Sequence, residues 1–430
     1  MTTPWATITH ADGVLVAGDV LHVLPGEYEG SFDTYAAGTE AAPIVFMSET
    51  KWGAVLVASD GPWTVRGDYV DVVGFEYTGD AHVGMLSMAS HTRYLGNWVH
   101  HLNPACDGNG GAAIDAGNYE ASDVDMIGNL VHDVWADDEN GMPCNRVQGL
   151  YHSIRGGTVA NNIVWHISGF GIHTWHAPQD LIITNNLVFD SGRGGIIVGA
   201  GDSPGGVIAD NFLVANNIVV YNALGILEYG ETGANNRYVN NLVYENAGGD
   251  FSLQNGLVDE GTVVAEPLFV DWQLDGSGDY HLVPDSPAID AGVVEGAPMN
   301  DYDDIARPQG AGIDIGPYEY FEEVGESSSS GGDGTGAADD TAGDGASESE
   351  GGSMSDDTSP PITEGGTMPG SETGAADDTG DTSQSDDEGD GCACAAEPRR
   401  DRTWLLVAFL VLLRRVTRTR APGTRPTRPR

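Results

Sequence analysis

One short phrase returns six times along this chain and leaves few folds open to it. It reads Gly96-Asn97-Trp98-Val99, Gly128-Asn129-Leu130-Val131, Asn161-Asn162-Ile163-Val164, Asn185-Asn186-Leu187-Val188, Asn216-Asn217-Ile218-Val219 and Asn240-Asn241-Leu242-Val243. The second residue of the phrase stands at 97, 129, 162, 186, 217 and 241, at intervals of 32, 33, 24, 31 and 24. A period near 24 with occasional insertions is that of a solenoid coil of three short strands. Asparagine tolerates the left-handed conformation of a corner, and its amide can bond to the same amide one coil away. The Leu/Ile-Val pair that follows is expected to pack inward.

A second phrase trails the first: Ala113-Ile114-Asp115, Gly149-Leu150-Tyr151, Gly171-Ile172-His173, Gly195-Ile196-Ile197 and Gly225-Ile226-Leu227. Strand alternation puts the Ile or Leu inside and the next residue outside. Neighbouring coils stack about 4.8 Å apart. Asp115, Tyr151, His173, Ile197 and Leu227 are therefore expected to form one outward column. The 61 glycines suit short strands joined by many turns. The fold class is all-β, a right-handed parallel β-helix with three short strands per coil.

Both ends of this region support the assignment by resemblance. Ala17-Gly18-Asp19-Val20-Leu21-His22-Val23 and Pro25-Gly26-Glu27-Tyr28, followed by Gly38-Thr39 and Ala42-Pro43-Ile44, resemble the opening of many such β-helices. Ser286-Pro287-Ala288-Ile289-Asp290-Ala291-Gly292, Arg307-Pro308 and Asp314-Ile315-Gly316-Pro317-Tyr318-Glu319 look like a module that closes bacterial surface β-helices. The resemblance to the right-handed β-helix repeat family, whose members include polysaccharide lyases, covers most of residues 1–320. It implies a β-helix over 1–320 with a closing module from about 265. It specifies architecture and leaves activity open, because this fold hosts lyases, hydrolases, adhesins and phage-tail proteins.

Charge narrows the partners. The 430 residues carry 18 Lys and Arg against 65 Asp and Glu, a formal charge of -47. Nucleic acid and acidic lipid headgroups are poor partners for such a body. Divalent cations and neutral or cation-bridged polymers suit it better. Lys51 is the only lysine, and only eight Lys and Arg precede residue 321.

The longer intervals locate two insertions. His100-His101-Leu102-Asn103-Pro104-Ala105-Cys106-Asp107-Gly108-Asn109-Gly110 and His132-Asp133-Val134-Trp135-Ala136-Asp137-Asp138-Glu139-Asn140-Gly141-Met142-Pro143-Cys144 leave the solenoid at the same corner, one coil apart. A Cys106–Cys144 disulfide is expected in an exported protein. These loops would overhang the Asp115, Tyr151 and His173 face. There Tyr151 and His173 can serve as acid and base in β-elimination from a uronate polymer. Arg155 can neutralise a carboxylate, and Trp175 can stack on a sugar ring. His152, His166 and His176 lie close in sequence. A glycoside hydrolase would instead need two carboxylates about 5 to 9.5 Å apart, for example Asp115 with Asp133, Asp137 or Asp138. Clustered oxygens at Asp137, Asp138 and Glu139, and at Asp301, Asp303 and Asp304, are candidates for Ca2+. No zinc spacing, phosphate-binding glycine loop or serine elbow is present. His100-His101 and His173/His176 are local pairs that lack the further ligands of a metal site.

Residues 321–391 are Gly, Ser, Thr, Asp and Glu with almost no large apolar side chains, which predicts a disordered, self-repelling stalk. Cys392 and Cys394 then precede an apolar run over 403–413 and an arginine-rich tail. The run is short of the roughly 20 residues of a comfortable span, and the arginines favour the cytoplasmic side. This arrangement resembles the C-terminal sorting signals of myxobacterial surface proteins. The resemblance implies a short membrane helix, processing at Cys392 or Cys394 by a sorting protease, and surface attachment. Residues 1–9 lack a basic start and an apolar run, so an export signal is expected upstream. Two classes of function follow: a surface protein that binds a polysaccharide or cell-surface glycan, and a polysaccharide-active enzyme, foremost a lyase.

Overall fold

A computed structural model describes residues 7–322, except 60, 109 and 204, together with 411–413. The stalk over 321–391 from residue 323 onward, Cys392, Cys394 and most of the 403–413 run lie outside the described residues. Val411–Leu413 is a short strand antiparallel to Val20–Val23. Among the described residues no helix is long and apolar enough to cross a membrane.

Three long parallel sheets form the body. Sheet A begins with Val20–Val23, sheet B with Gly26–Glu29 and sheet C with Phe32–Thr34, and each later coil adds one strand to each sheet in that order, save the last, which adds Asp259–Glu260 to sheet A and Val263–Val264 to sheet B alone. This is the expected parallel β-helix. A helix, Ile8–Asp12, covers the first coil with Ile8 and Ala11 buried. Its Asp12 carboxylate accepts the amides of Tyr35 and Ala36.

The asparagines form a continuous buried ladder. Asn97, Asn129, Asn162, Asn186 and Asn217 each donate to the side-chain oxygen of the next, at 2.9 to 3.2 Å, ending on Asn241. Each ladder amide also donates to a backbone carbonyl, as Asn162 does to Met126. Paired in this way, the buried amides cost no unsatisfied polar group. The left-handed position is the residue before: Gly96, Gly128, Asn161, Asn185, Asn216 and Asn240 have φ between 48° and 66°.

The pair after the ladder asparagine does not pack inward as a unit. Val99, Val131, Val164, Val188, Val219 and Val243 fill the core. Ile163, Leu187, Ile218 and Leu242 point outward and are buried under residues 265–322. Strand period 2 forces this split. The closing module thus lies along the outer face of sheet B, where Tyr280, Leu282, Ala288, Ile315 and Tyr318 join one apolar cluster with it. The asparagines at the left-handed corner hold it. Asn161 donates to the Asn300 carbonyl, Asn185 to those of Asp314 and Gly316, Asn216 to that of Val293 and Asn240 to that of Ala291. Within the module Arg307 and Glu319 form a fully buried ion pair. The Asp301 carboxylate accepts the amides of Asp303, Ile305 and Glu319. Those oxygens brace the module.

Candidate functional site

The sheet C column has the expected register. Asp115 pairs with Tyr151, Tyr151 with His173, His173 with Ile197 and Ile197 with Leu227. It is not a solvent-facing site. Asp115 is 0%, Tyr151 1% and His173 7% exposed. The Tyr151 and His173 rings meet edge to face at 5.2 Å. Burial pushes the His173 pKa down to about 3, helped by neighbouring His176. An acid and base shut away from a polymer cannot process it, so the catalytic reading of Asp115, Tyr151 and His173 fails.

The residues assigned around that column also lie elsewhere or are covered. Trp175 is buried and lies 5.8 Å from the Tyr229 ring in a stacked arrangement, so no sugar reaches it. A Cβ at Gly201 would sit 2.4 Å from this indole, so only glycine lets it lie flat there. His152 is buried, with Nε2 3.1 Å from the Val124 carbonyl and its pKa pushed down to about 4 by burial. His176 is buried against Tyr119 and Tyr151. Arg155 is exposed at the corner between sheets C and A, where it pairs with Asp180 at 2.6 Å. With Asp115 buried, the hydrolase pairs built on it fail too.

Cys106 and Cys144 form a disulfide with their Cα atoms 5.7 Å apart, tying the two insertions together. Two oxygens of the acidic turn are already engaged. Asp138 Oδ1 accepts the amides of Asn140 and Met142, and Asp137 Oδ1 accepts the Trp135 indole N–H. Among the described residues Asp137, Asp138 and Glu139 do not converge on one point.

The exposed chemistry is on the outer face of sheet B. Strands Trp98–Leu102, Leu130–Val134, Ile163–Ile167 and Leu187–Ser191 stack in register, so His100, His132, Trp165 and Phe189 form one column. His100 and His132 stack at 5.1 Å, His132 and Trp165 at 4.1 Å, Trp165 and Phe189 at 5.7 Å. From Trp165 onward the closing module covers the column: a Cβ at Gly276 would sit 2.2 Å from the Trp165 ring. The next residue in each strand is left-handed: His101, Asp133, His166 and Asp190 have φ of 49°, 52°, 51° and 50°. His and Asp accept that region better than most side chains, at about 1 kcal/mol each. They alternate along the solenoid and interlock. His101 Nε2 is 3.6 Å from Asp133 Oδ2, His166 Nε2 is 3.8 Å from Asp133 Oδ1, and His166 Nδ1 is 2.9 Å from Asp190 Oδ2.

The hydrogen bonds assign the protons. An indole N–H only donates, so Trp98 donates a hydrogen bond to His132 Nε2 at 2.8 Å. His132 therefore carries its own proton on Nδ1 and donates it to Asp133 Oδ2 at 2.6 Å. His100 Nε2 faces Glu76 at 3.2 Å, and His100 Nδ1 is 2.7 Å from His101 Nδ1. With His100 donating to Glu76, its Nδ1 accepts from His101 and leaves His101 Nε2 as the outer nitrogen. Burial and the neighbouring histidines push the His100 pKa down to about 4. Burial also lowers that of His132, against the Asp133 carboxylate. The Asp190 hydrogen bond raises that of His166. The side chains of His101 and His166 are 65% and 43% exposed, open to a ligand.

Among the described residues, His101, His132 and Asp133 alone bring three metal-ligating atoms within 4.8 Å of one another. The set does not fit a metal well. Trp98 occupies one nitrogen of His132 and a proton the other, so His132 has no lone pair to offer. The strip is better suited to proton transfer.

At one border lies Lys51, whose Nζ is 4.7 Å from the Trp52 ring and 5.1 Å from the Tyr302 ring of the closing module. Such contacts contribute about 0.5–1 kcal/mol each at exposed sites. Trp52 donates to the Gly96 carbonyl and packs 5.3 Å from Trp98.

In the sequence these residues stand apart, His100-His101 as a local pair, Asp133 as a hydrolase carboxylate and His166 near the sheet C face, and only the coil stacking joins them into one strip. The signal was present: its members stand three and four residues after each ladder asparagine, at 100/101, 132/133, 165/166 and 189/190.

No family model matches the chain, and no curated protein matches it. Solved structures do. The pectate lyase Pel9A is 16% identical with a TM-score of 0.50, over 73% of this chain and 90% of that one. A rhamnogalacturonan lyase is 17% identical, TM-score 0.47, over 64% and 90%. An alginate lyase from Paenibacillus sp. str. FPU-7 is 16% identical, TM-score 0.42, over 60% and 95%. At such identity the likeness to Pel9A is one of fold: the chain is a parallel β-helix protein of the architecture that this pectate lyase shares.

Proposed function

We propose that this chain is a polysaccharide-processing β-helix protein that works by β-elimination on the outer strip of sheet B. One observation carries the reading. An exposed histidine, His101, is oriented from behind by the part-buried His100–Glu76 pair and stands beside Asp133, whose other side meets His166. In this reading His101 Nε2 takes the C5 proton of a uronate unit. A C4–C5 double bond forms, the C4–O bond breaks, and His166, kept protonated by Asp190, gives a proton to the departing oxygen. The fold shared with a pectate lyase agrees with an extended polymer as substrate.

The test incubates the whole chain with polygalacturonate and with alginate and follows the ultraviolet absorbance of the new double bond. A signal that His101→Ala abolishes supports the reading. Retained binding to a polymer without any signal moves the protein to the adhesin class.

Export and surface attachment belong to the same reading. The Cys106–Cys144 bridge supports an oxidising compartment, and the acidic stalk with its cysteine, apolar and arginine segments supports an anchored C-terminus. Ca2+ enters only as a counter-ion that would bridge this acidic body to an acidic polymer.

A further inference from the structure

We propose that Lys51, with Trp52 and Trp98, forms a separate subsite that binds the carboxylate of a sugar unit away from the reacting one. The inference rests on the reading of the sheet B strip as a polysaccharide site and adds the residue that selects an acidic chain.

Lys51 is unusual among the cations. Arg66, Arg93, Arg155, Arg193, Arg237 and Arg307 each face a carboxylate, and Arg146 donates to the Asp107 carbonyl. Among the described residues Lys51 pairs with none, in a chain of formal charge -47. Chance placement on so acidic a surface would favour an ion pair. Instead two aromatic rings hold the ammonium, one from the solenoid and one from the closing module. A cation held this way keeps its donors free for an incoming anion.

The glycine corner makes this placement possible. Trp52 occupies the left-handed corner that Gly74 and Gly96 occupy in the next two coils. With no side chains there, its indole spans both coils to the Gly96 carbonyl, and the Lys51 stem lies 4.0 Å from a Cβ built at Gly96. The rings then run on without a break: Trp52 to Trp98 at 5.3 Å, Trp98 to His100 at 4.2 Å and His100 to His101 at 4.9 Å. Half-buried Trp52 and Trp98 offer rings for sugar faces. Three residues of strand carry the chain from Trp98 to His101, roughly 10 Å, and Lys51 lies beyond Trp98 at the corner. One sugar cannot bridge that distance, so Lys51 reads a neighbouring unit of a polymer that lies along the strand direction.

The test uses the whole chain and measures binding by affinity electrophoresis. The probes are polygalacturonate and polymannuronate, each as the free acid and as the methyl ester. The wild type is expected to bind at least one free acid more tightly than its ester, with the preference fading as salt rises. Lys51→Gln should weaken the acid form about fivefold, the effect of one exposed ion pair, and leave the ester within twofold. Lys51→Arg should retain most of the preference. Unchanged acid binding by Lys51→Gln overturns the subsite, as does equal loss on acid and ester, which would reduce Lys51 to a brace for Tyr302. A wild type that binds only the esters overturns the subsite and leaves the sheet B site standing. A wild type that binds none of the four removes both.

Discussion

His132 donates its Nδ1 proton to Asp133 at 2.6 Å while its Nε2 accepts the Trp98 indole at 2.8 Å. Both nitrogens are thereby committed, and Asp133 is held between His101 and His166. The buried histidine sets the carboxylate, and the two exposed histidines share it.

Removal of His101 or His166 should lower elimination about 100-fold or more, the usual contribution of a general acid or base. Tyr151→Phe should leave the rate within twofold, because Tyr151 is buried on another sheet. Initial rates of double-bond formation decide between the strip and the column.

Acid should destabilise the fold in a defined window. His100, His152 and His173 are held neutral, with pKa values pushed down to about 4, 4 and 3. The unfolded chain takes up protons at these positions below its ordinary value of 6.5, so stability falls as pH drops from there toward 4. Each fully buried group contributes about 1.4 kcal/mol per pH unit, less for partly exposed His100. Asp314, raised to about 6 from 3.8, acts in the opposite sense between those values. Glu76, Asp125, Asp301 and His281 are raised as well and His132 is lowered, but the three strongly shifted histidines set the sign between pH 7 and pH 5. Denaturant midpoints at pH 7 and pH 5 should therefore fall toward acid, and a flat profile would remove the assignment of neutral histidines.

The His166–Asp190 pair should behave in reverse. Its raised pKa makes its contribution complete below 6.5, and that contribution is lost as pH rises through the folded value. Asp190→Asn should remove the pH-dependent part, read as the His166 titration midpoint by NMR returning toward 6.5.

Reduction of the Cys106–Cys144 bridge, which spans a separation of 38 residues, should cost up to about 4 kcal/mol by the chain-entropy estimate. Melting with and without reductant measures it. An exported protein whose two thiols react with alkylating reagent before reduction would contradict the bridge.

Asn185→Gly should loosen the closing module more than the solenoid, since glycine keeps the left-handed corner and deletes the bonds to Asp314 and Gly316 together with those that Asn185 Oδ1 accepts from Thr184 and Asn216, while the ladder stays whole. Asn186→Ala breaks the ladder itself and should cost about 2–4 kcal/mol through stranded amides. Hydrogen exchange over 265–322 separates the two: rising more than in the solenoid in the first, with the whole solenoid in the second.

The sequence by itself determined the solenoid, its coil boundaries and its asparagine ladder, because a stacking repeat writes its period into the chain. It also carried the docking of the closing module: the phrase changes from Gly-Asn at 96/97 and 128/129 to Asn-Asn from 161/162 on, where side chains reach out to the module. Tertiary structure alone decided which outward residues meet solvent. Alternation places Tyr151 outside its sheet and would turn His101, two residues after core Val99, inward, yet Tyr151 is buried and His101 open. That difference arises from loops and a module packed at long range, and from a left-handed turn that tips His101, Asp133, His166 and Asp190 clear of the pleat. Periodicity records the face of a strand, and the neighbours that cover it come from elsewhere in the chain.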